Sequence, residues 1–267
     1  MNKVILITGG STGLGKAIGE FLHHKNYVVY GTSRNPEKFT NSIFPLLPLD
    51  VRSAESIRLA IAEVVRVSGR LDVVINNAGV GIIGPVEEVP TDAMRNNFET
   101  NLFGPIEVMK AVLPQMRLQK SGLIINITSI AGYMGLPYRG IYSASKGALE
   151  ILTEAIRMEV KPFGIEITNV APGEFATNIA ANRYHVPVEQ GSPYAAVYGK
   201  TIELINSHVD SGDDPTKMAS AIYAIINSEK PNVHYKIGPF MSRFSVMLKR
   251  ILPDKVYEKM LMKHYKL

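Results

Sequence analysis

Tyr142 and Lys146 stand four residues apart, a spacing that puts both side chains on one face of a helix. An ammonium beside a phenol favours the tyrosinate. Such a tyrosine can take or give a proton near neutral pH, as general acid–base chemistry requires. Ser129, thirteen residues upstream, adds a hydroxyl able to hold a carbonyl oxygen against that phenol. Alone, the pair reads equally well as an amphipathic helix with a solvated lysine. The two readings part on whether the rest of the chain supplies something to transfer.

The elements that would position these residues begin at the N-terminus. Val4 to Ile7 is a short apolar run of the kind a strand buried on both faces shows. It meets Thr8-Gly9-Gly10-Ser11-Thr12-Gly13-Leu14-Gly15, and Lys16 to His24 then reads as a helix. A strand, a glycine-rich turn and a helix make a phosphate cradle, with backbone N–H groups and the helix dipole facing the anion. Two nucleotide readings compete. Gly10 to Lys16 fits the P-loop pattern G-x-x-x-x-G-K, but Ala17 stands where that motif needs Ser or Thr for magnesium. The other reading is a dinucleotide turn. The next strand, Tyr27 to Tyr30, then leads to Ser33 and Arg34, with no Asp or Glu before Glu37. An acid there would grip a ribose 2′-hydroxyl, whereas an Arg accommodates a 2′-phosphate, so NADP(H) is expected over NAD(H).

Further along, Leu46 to Val51, Leu71 to Ile75, Leu123 to Ile127, Ile165 to Val170 and Val233 to Ile237 read as strands. Between them lie a helix from Ser53 to Ser68 with a serine cap, a helical stretch from Thr91 to Gln119 broken around Pro105, and the Tyr142 helix running to about Val160. Strands alternating with helices of this length predict a doubly wound α/β parallel sheet with helices on both faces. Ligands bind beyond the carboxyl ends of such strands. There the sequence puts the glycine turn, Asn76-Asn77-Ala78-Gly79, Thr128 with Ser129, and Pro172-Gly173.

Composition sets the outer limits. The 267 residues are 46% hydrophobic and 20% charged, with no linker or repeat, so one domain over residues 1–267 is expected. Cysteine is absent, which removes thiol nucleophiles and disulfides and suits a reducing cytoplasmic setting. No stretch approaches a membrane span, and the six histidines show no metal-ligand spacing, so no metal is expected. The net charge of +5 sits in residues 239–267, where seven Lys/Arg face Asp254 and Glu258; the rest of the chain is balanced. A nucleic-acid partner is therefore not expected. In that basic extension Phe240, Phe244, Met247 and Ile251 share a helical face, and Asp254 can cap a second helix carrying Val256, Tyr257, Met260 and Leu261. Packing against protein, over a substrate cleft or a neighbouring subunit, is favoured over peripheral contact with an anionic membrane.

Together these stretches resemble the short-chain dehydrogenase/reductase family, closely over about the first 180 residues and more loosely beyond. Thr8-Gly9, Gly13 and Gly15 match its T-G-x-x-x-G-x-G turn, Asn76 to Gly79 its N-N-A-G, and Tyr142/Lys146 its Y-x-x-x-K. Ser129 falls at the family's distance before the tyrosine, Asn101 matches a helix asparagine, and Pro172-Gly173 with Thr177 resembles the nicotinamide-carboxamide segment. The resemblance implies a Rossmann-type oxidoreductase that passes a hydride between NADP(H) and an alcohol or ketone. Tyr142 would move the proton, Lys146 would lower the barrier to its ionisation and hold the nicotinamide ribose, Ser129 would orient the carbonyl, and Asn101 would hold a relay water. Cofactor contacts would come from Gly9, Ser11, Gly13, Leu14, Gly15, Ser33, Arg34, Asp50, Val51, Asn77, Ala78, Gly79, Thr128, Tyr142, Lys146, Pro172, Gly173 and Thr177. The apolar and aromatic stretches at 80–85, 133–138 and 175–198 point to a hydrophobic, steroid- or retinoid-like alcohol or ketone. The stripe Leu102, Ile106, Met109, Leu113, Met116 is expected to bury against a partner in a homodimer or homotetramer, with burial against the chain's own sheet as the alternative. Three rivals remain: a P-loop phosphotransferase, a serine acyl-transferase reading of Ser143-Ala-Ser-Lys146, and a catalytically silent dinucleotide-binding module. The acyl-transferase reading lacks its companion motifs.

Overall fold

Because the predicted strands are apolar on both faces, each must be covered from two sides, and the chain does this by packing helices on both faces of one sheet. The computed structural model describes residues 2–175, 183–210 and 212–267, with 206–210 as backbone only. Thr177 lies outside the described residues. In chain order the elements are β1 (Val4–Ile7), α1 (Gly13–His24), β2 (Val28–Ser33), β3 (Leu46–Pro48), α2 (Ala54–Ser68), β4 (Val73–Asn76), β5 (Ile82–Ile83), α3 (Thr91–Phe98), α4 (Gly104–Gln119) and β6 (Gly122–Ile127). There follow α5 (Gly140–Val160), β7 (Ile165–Pro172), β8 (Tyr184–His185), α6 (Ala195–Asp210), α7 (Pro215–Ile226), β9 (His234–Ile237), α8 (Phe240–Ile251) and α9 (Asp254–Tyr265).

The main sheet has seven parallel strands in the order β3-β2-β1-β4-β6-β7-β9. The order reverses between β1 and β4, which makes their carboxyl ends the expected ligand crevice. One face is covered by Ile57, Ile61 and Val64 of α2, Val108, Met109 and Val112 of α4, and Leu149 of α5. The other is covered by Ile18 and Leu22 of α1 with Met218, Ile222 and Ile225 of α7. Ser53 caps α2 by accepting from Ser56 N, and Gly69 ends it in a left-handed conformation that glycine adopts without strain.

Differences from the sequence-based expectation have local causes. The strand expected over 46–51 ends at Pro48, with one further ladder bond from Leu49 N to Ser33 O at 2.9 Å; Pro48 is tolerated because β3 is the edge strand of the sheet. The long helix over 91–119 is broken, but upstream of Pro105: residues Glu99–Phe103 form a π-helical turn between α3 and α4. Pro105 follows at once: it lacks the N–H that would bond the preceding turn, and the wider bond from Gly104 N to Glu99 O carries the helix past it. The apolar stripe turns to the chain's own sheet: Met109 and Met116 are fully buried, and Leu102, Ile106 and Leu113 pack partly buried against the same core. The short parallel pair β5–β8, with Ile82 opposite Tyr184 and Ile83 opposite His185, has no counterpart in the sequence reading.

Three buried asparagines lie in register across the centre of the sheet, Asn76 of β4 opposite Asn126 of β6 and Asn126 opposite Asn169 of β7. Asn76 Nδ2 donates to Asn126 Oδ1 at 2.8 Å, Asn126 Nδ2 to Thr153 Oγ1 at 2.8 Å, and Asn169 Nδ2 to the Glu150 carbonyl at 3.1 Å. The last two bonds tie α5 to the strands beneath it.

Candidate active site

A cleft of about 460 Å³ opens at the carboxyl ends of the central strands. One wall is the glycine turn. Gly13 begins α1 with φ +54°, a conformation that favours glycine, and Thr12 before it makes no side-chain cap. The first N–H groups of the helix are thus left to face an anion. Gly15 does not line the cleft. A Cβ there would lie 2.3 Å from Gly9 O and 2.4 Å from Asn77 Nδ2, so this glycine lets the helix pack on the turn and on β4. Thr8 Oγ1 accepts from the backbone N–H groups of Asn77 and Ala78, each at 3.0 Å, locking the two motifs together. These features fit a bound pyrophosphate. Lys16 stands outside the cleft, exposed and 3.7 Å from Glu20, so the P-loop reading loses its phosphate-binding lysine.

The far end of the cleft is lined by Ser33, Arg34, Lys38, Asp50, Val51 and Arg52. Asp50 is clamped by Arg52, at 2.7 Å and 3.1 Å, and the Arg52 hydrogen bonds hold its carboxyl below the usual range. No acid stands at the end of β2. The charge facing the cleft there is basic, with Arg34 and Lys38 beside the hydroxyl of Ser33.

At the centre, Ala78, Gly79, Thr128, Pro172, Tyr142 and Lys146 line the cleft. Tyr142 and Lys146 lie one turn apart on α5, both buried. Lys146 Nζ donates to Ile127 O at 2.9 Å. Burial pulls its ammonium down from 10.5 to about 8, against a smaller opposing pull from the Glu150 carboxylate. A Cβ on Gly79 would sit 3.2 Å from Asn101 Oδ1 and 3.4 Å from Lys146 Nζ, so both groups converge on this backbone position. Asn101, in the π-helical turn, is fixed by both ends of its amide: Oδ1 accepts from Val80 N at 2.9 Å, and Nδ2 donates to Val80 O at 2.9 Å and to Ser145 Oγ at 3.2 Å. An extra residue in a helix at such a point re-aims one side chain without bending the whole element.

Ser129 is buried at the end of β6 beside this centre rather than in the cleft wall, and Gly173 and Asn101 likewise stand behind the wall. The Ser129 oxygen accepts from Ala131 N at 3.2 Å, which leaves its O–H free to donate. Ala131 packs in the same cluster as Tyr142, with Ile82, Ile83, Tyr198 and Tyr265. A smaller cavity on that side, about 60 Å³, is lined by Tyr142, Ile83, Arg139, Glu174, Arg183 and Ile205. Tyr265, at the end of α9, closes over this region from the tail.

One group escaped the sequence reading. Glu150 is buried one turn beyond Lys146 on α5. It accepts from Thr128 Oγ1, from Tyr133 OH at 2.9 Å, and meets His234 Nδ1 at 2.8 Å, while His234 Nε2 lies 2.9 Å from Glu154. Its signal was present in the spacing of Tyr142, Lys146 and Glu150 at i, i+4 and i+8. Its partners on β6 and β9 could not be seen without the fold.

A strand-switch crevice with a phosphate turn at one end and a buried phenol–ammonium pair at its centre is the site of a dinucleotide-dependent oxidoreductase. The chain belongs to the short-chain dehydrogenase family, whose pattern matches residues 3–187. It therefore acts on alcohol and carbonyl groups with a nicotinamide dinucleotide as hydride carrier. It is similar to a 3-ketodihydrosphingosine reductase of Bacteroides thetaiotaomicron, 38% identical over 96% of this chain and 95% of the relative. It is also similar to an NADPH-dependent 3-dehydrocapnine reductase of Ornithobacterium rhinotracheale, 30% identical over 99% and 98%. Among solved structures, a short-chain dehydrogenase from Streptomyces avermitilis superposes with a TM-score of 0.80 at 32% identity, covering 99% of this chain and 97% of that one.

Proposed function

We propose that the chain is an NADPH-dependent reductase of a ketone carried on a long-chain lipid, with Ser129, Tyr142 and Lys146 as its catalytic groups. The observation that carries this reading is the Tyr142–Lys146 pair, buried together on one face of α5 and opening into a cleft that starts at the glycine turn. The nicotinamide would supply the hydride. Tyr142 gives its proton to the carbonyl oxygen as the alcohol forms. Lys146, an ammonium below about pH 8, favours the phenolate left behind and would hold the cofactor ribose. The free O–H of Ser129 holds the carbonyl oxygen in place. Asn101, anchored by Val80 and Ser145, keeps a polar path beside Lys146 for returning the proton.

The basic end of the cleft supports NADPH over NADH. Arg34 and Lys38 can meet a 2′-phosphate, and the carboxylate of Asp50 is already engaged by Arg52. The substrate class departs from the steroid- or retinoid-like alcohol or ketone suggested by sequence and keeps its hydrophobic character. Both relatives named above act, by their names, on 3-keto compounds, and the tyrosine side of the cleft is walled by Ile82, Ile83, Tyr198 and Tyr265. For assembly, Ile151 and Met158 of α5 with Leu118 of α4 are exposed apolar residues that a homodimer or homotetramer would cover. The chain is read as one cytoplasmic oxidoreductase domain with a C-terminal extension.

Purified protein should oxidise NADPH when given 3-ketodihydrosphingosine in detergent, followed at 340 nm, and turn over a steroid ketone far more slowly. NADPH oxidation that is equal with both, or absent with 3-ketodihydrosphingosine while a steroid ketone is reduced, would remove the lipid assignment.

A further inference from the structure

Helix α8 packs inward through Val246 and Leu248 and carries a second apolar face toward solvent. Phe240, Phe244, Met247 and Ile251 fall at i, i+4, i+7 and i+11, on one face. That face looks outward: Phe240 is 66% exposed, Met247 48% and Ile251 68%. Phe240 and Phe244 stack with ring centroids 5.5 Å apart, a continuous aromatic patch. The serines turn inward. Ser242 packs against Gly173, and Ser245 Oγ bonds to Ser242 O at 2.7 Å and lies 3.9 Å from Met134 Sδ. Val246 anchors the inner side. Arg243 and Arg250 flank the outward apolar face and are exposed.

Helix α9 adds the complementary signal. Tyr257, Leu261 and Tyr265, at i, i+4 and i+8, pack inward. The opposite face carries Lys255, Lys259 and Lys263 at the same spacing, all exposed, with Val256 and Met262 exposed near them. Among the described residues no helix is long and apolar enough to cross a membrane, so this hairpin does not span one.

We propose that α8 and α9 form a docking surface for an anionic lipid bilayer, the apolar face of α8 entering the headgroup–acyl boundary and the lysine column of α9 meeting lipid phosphates. Charge decides the occupant. The seven basic and two acidic residues of 239–267 carry the net charge of a chain otherwise balanced. A second copy docked through the same face by a twofold axis would set these basic groups against each other. An anionic surface complements them, and two signals together, apolar insertion and basic charge, are what stable interfacial binding needs. The surface does not depend on which ketone the cleft reduces.

The test is co-sedimentation of the full chain with phosphatidylcholine vesicles, with and without phosphatidylglycerol. Binding should need phosphatidylglycerol and weaken strongly from about 0.1 M to about 1 M salt, as screening shortens from about 10 to about 3 Å. Lys255→Glu/Lys259→Glu/Lys263→Glu should weaken it at least about a hundredfold, while the corresponding Lys→Arg triple retains it. Met247→Ser/Ile251→Ser should weaken binding to the same vesicles at least about tenfold. Melting temperature and NADPH binding, unchanged in each variant, establish that the fold is intact. Equal binding to both vesicle types, or charge reversal without effect, would overturn the proposal. Variants that dissociate an oligomer in sedimentation velocity and leave vesicle binding alone would assign the face to a second copy instead.

Discussion

Lys146→Met probes the site through its own electrostatics. In the unfolded chain the ammonium titrates at 10.5, in the fold at about 8. Below pH 8 both states carry the proton, and the fold bears the whole desolvation cost, about 3 kcal/mol at 1.36 kcal/mol per unit. Between pH 8 and 10.5 the unfolded chain keeps a proton that the fold has released. Stability therefore rises with pH across this window, by about 2 kcal/mol from about pH 7 to about pH 9.5. Methionine fills the same space without charge. It also leaves Ile127 O without its donor, a loss of roughly 1–3 kcal/mol that offsets much of the relieved desolvation at neutral pH. The diagnostic is the slope. Urea denaturation of cofactor-free protein, followed by circular dichroism over this pH range, should give a wild type that gains about 2 kcal/mol relative to the variant. Titrating groups that do not interact with Lys146 cancel in that difference. Turnover should vanish in the variant and NADPH should bind more weakly. Parallel stability curves would refute the argument, because they would mean that Lys146 is solvated in both states.

Tyr142→Phe keeps the ring and removes the proton, so folding and NADPH binding measured by calorimetry should survive while kcat falls about 10²–10⁴-fold. Arg34→Asp should weaken NADPH at least about tenfold by fluorescence titration and leave NADH unharmed or improved, since a charge-assisted pair with the 2′-phosphate is lost. In the wild type kcat/KM for NADPH should hold level up to about pH 8 and decline above it as Lys146 loses its proton. Glu150→Gln removes the carboxylate that raises the Lys146 value, so in stopped-assay pH profiles that decline should begin at lower pH. Ile151→Asp/Met158→Asp should shift the protein toward monomer in sedimentation velocity.

The sheet and the cleft were legible because their signals are local. Val4 to Ile7 is short, apolar and ends at glycines, which favours a strand buried on both faces, and a glycine turn between such a strand and a helix leaves few ligands to choose from. The motif residues Thr8, Asn77 and Ala78 meet because β1 and β4 are neighbours, a strand order that the alternation of strands and helices allows without fixing it. Less legible was anything set by distant pairing. Lys16 looked like a phosphate ligand by spacing, yet its helix phase turns it to Glu20 and solvent. The stripe through Met109 and Met116 looked available to a partner, because hydrophobic period does not say which apolar surface a helix meets. The interruption expected around Pro105 takes the form of a π-helical turn just ahead of it, a form that neither the proline nor the hydrophobic period specifies. Glu150 and His234, 84 residues apart in sequence, could be joined only by the β7–β9 crossover.

The asparagine row of β4, β6 and β7 bears on how the chain finds its fold. Strands apolar on both faces have little alternation to index them, so Val73 to Ile75, Leu123 to Ile127 and Ile165 to Val170 could slide past one another with little loss of buried area. Only one offset puts Asn76 opposite Asn126 and Asn126 opposite Asn169. Any other offset breaks the bond from Asn76 Nδ2 to Asn126 Oδ1 and leaves both groups buried without a partner, at roughly 1–3 kcal/mol each. The row is thus an alignment mark for parallel strands that must pair late, across long loops, and it makes mis-registered collapsed states reopen rather than persist. Asn126→Val should then leave more chains in off-register traps during refolding than its effect on equilibrium stability accounts for.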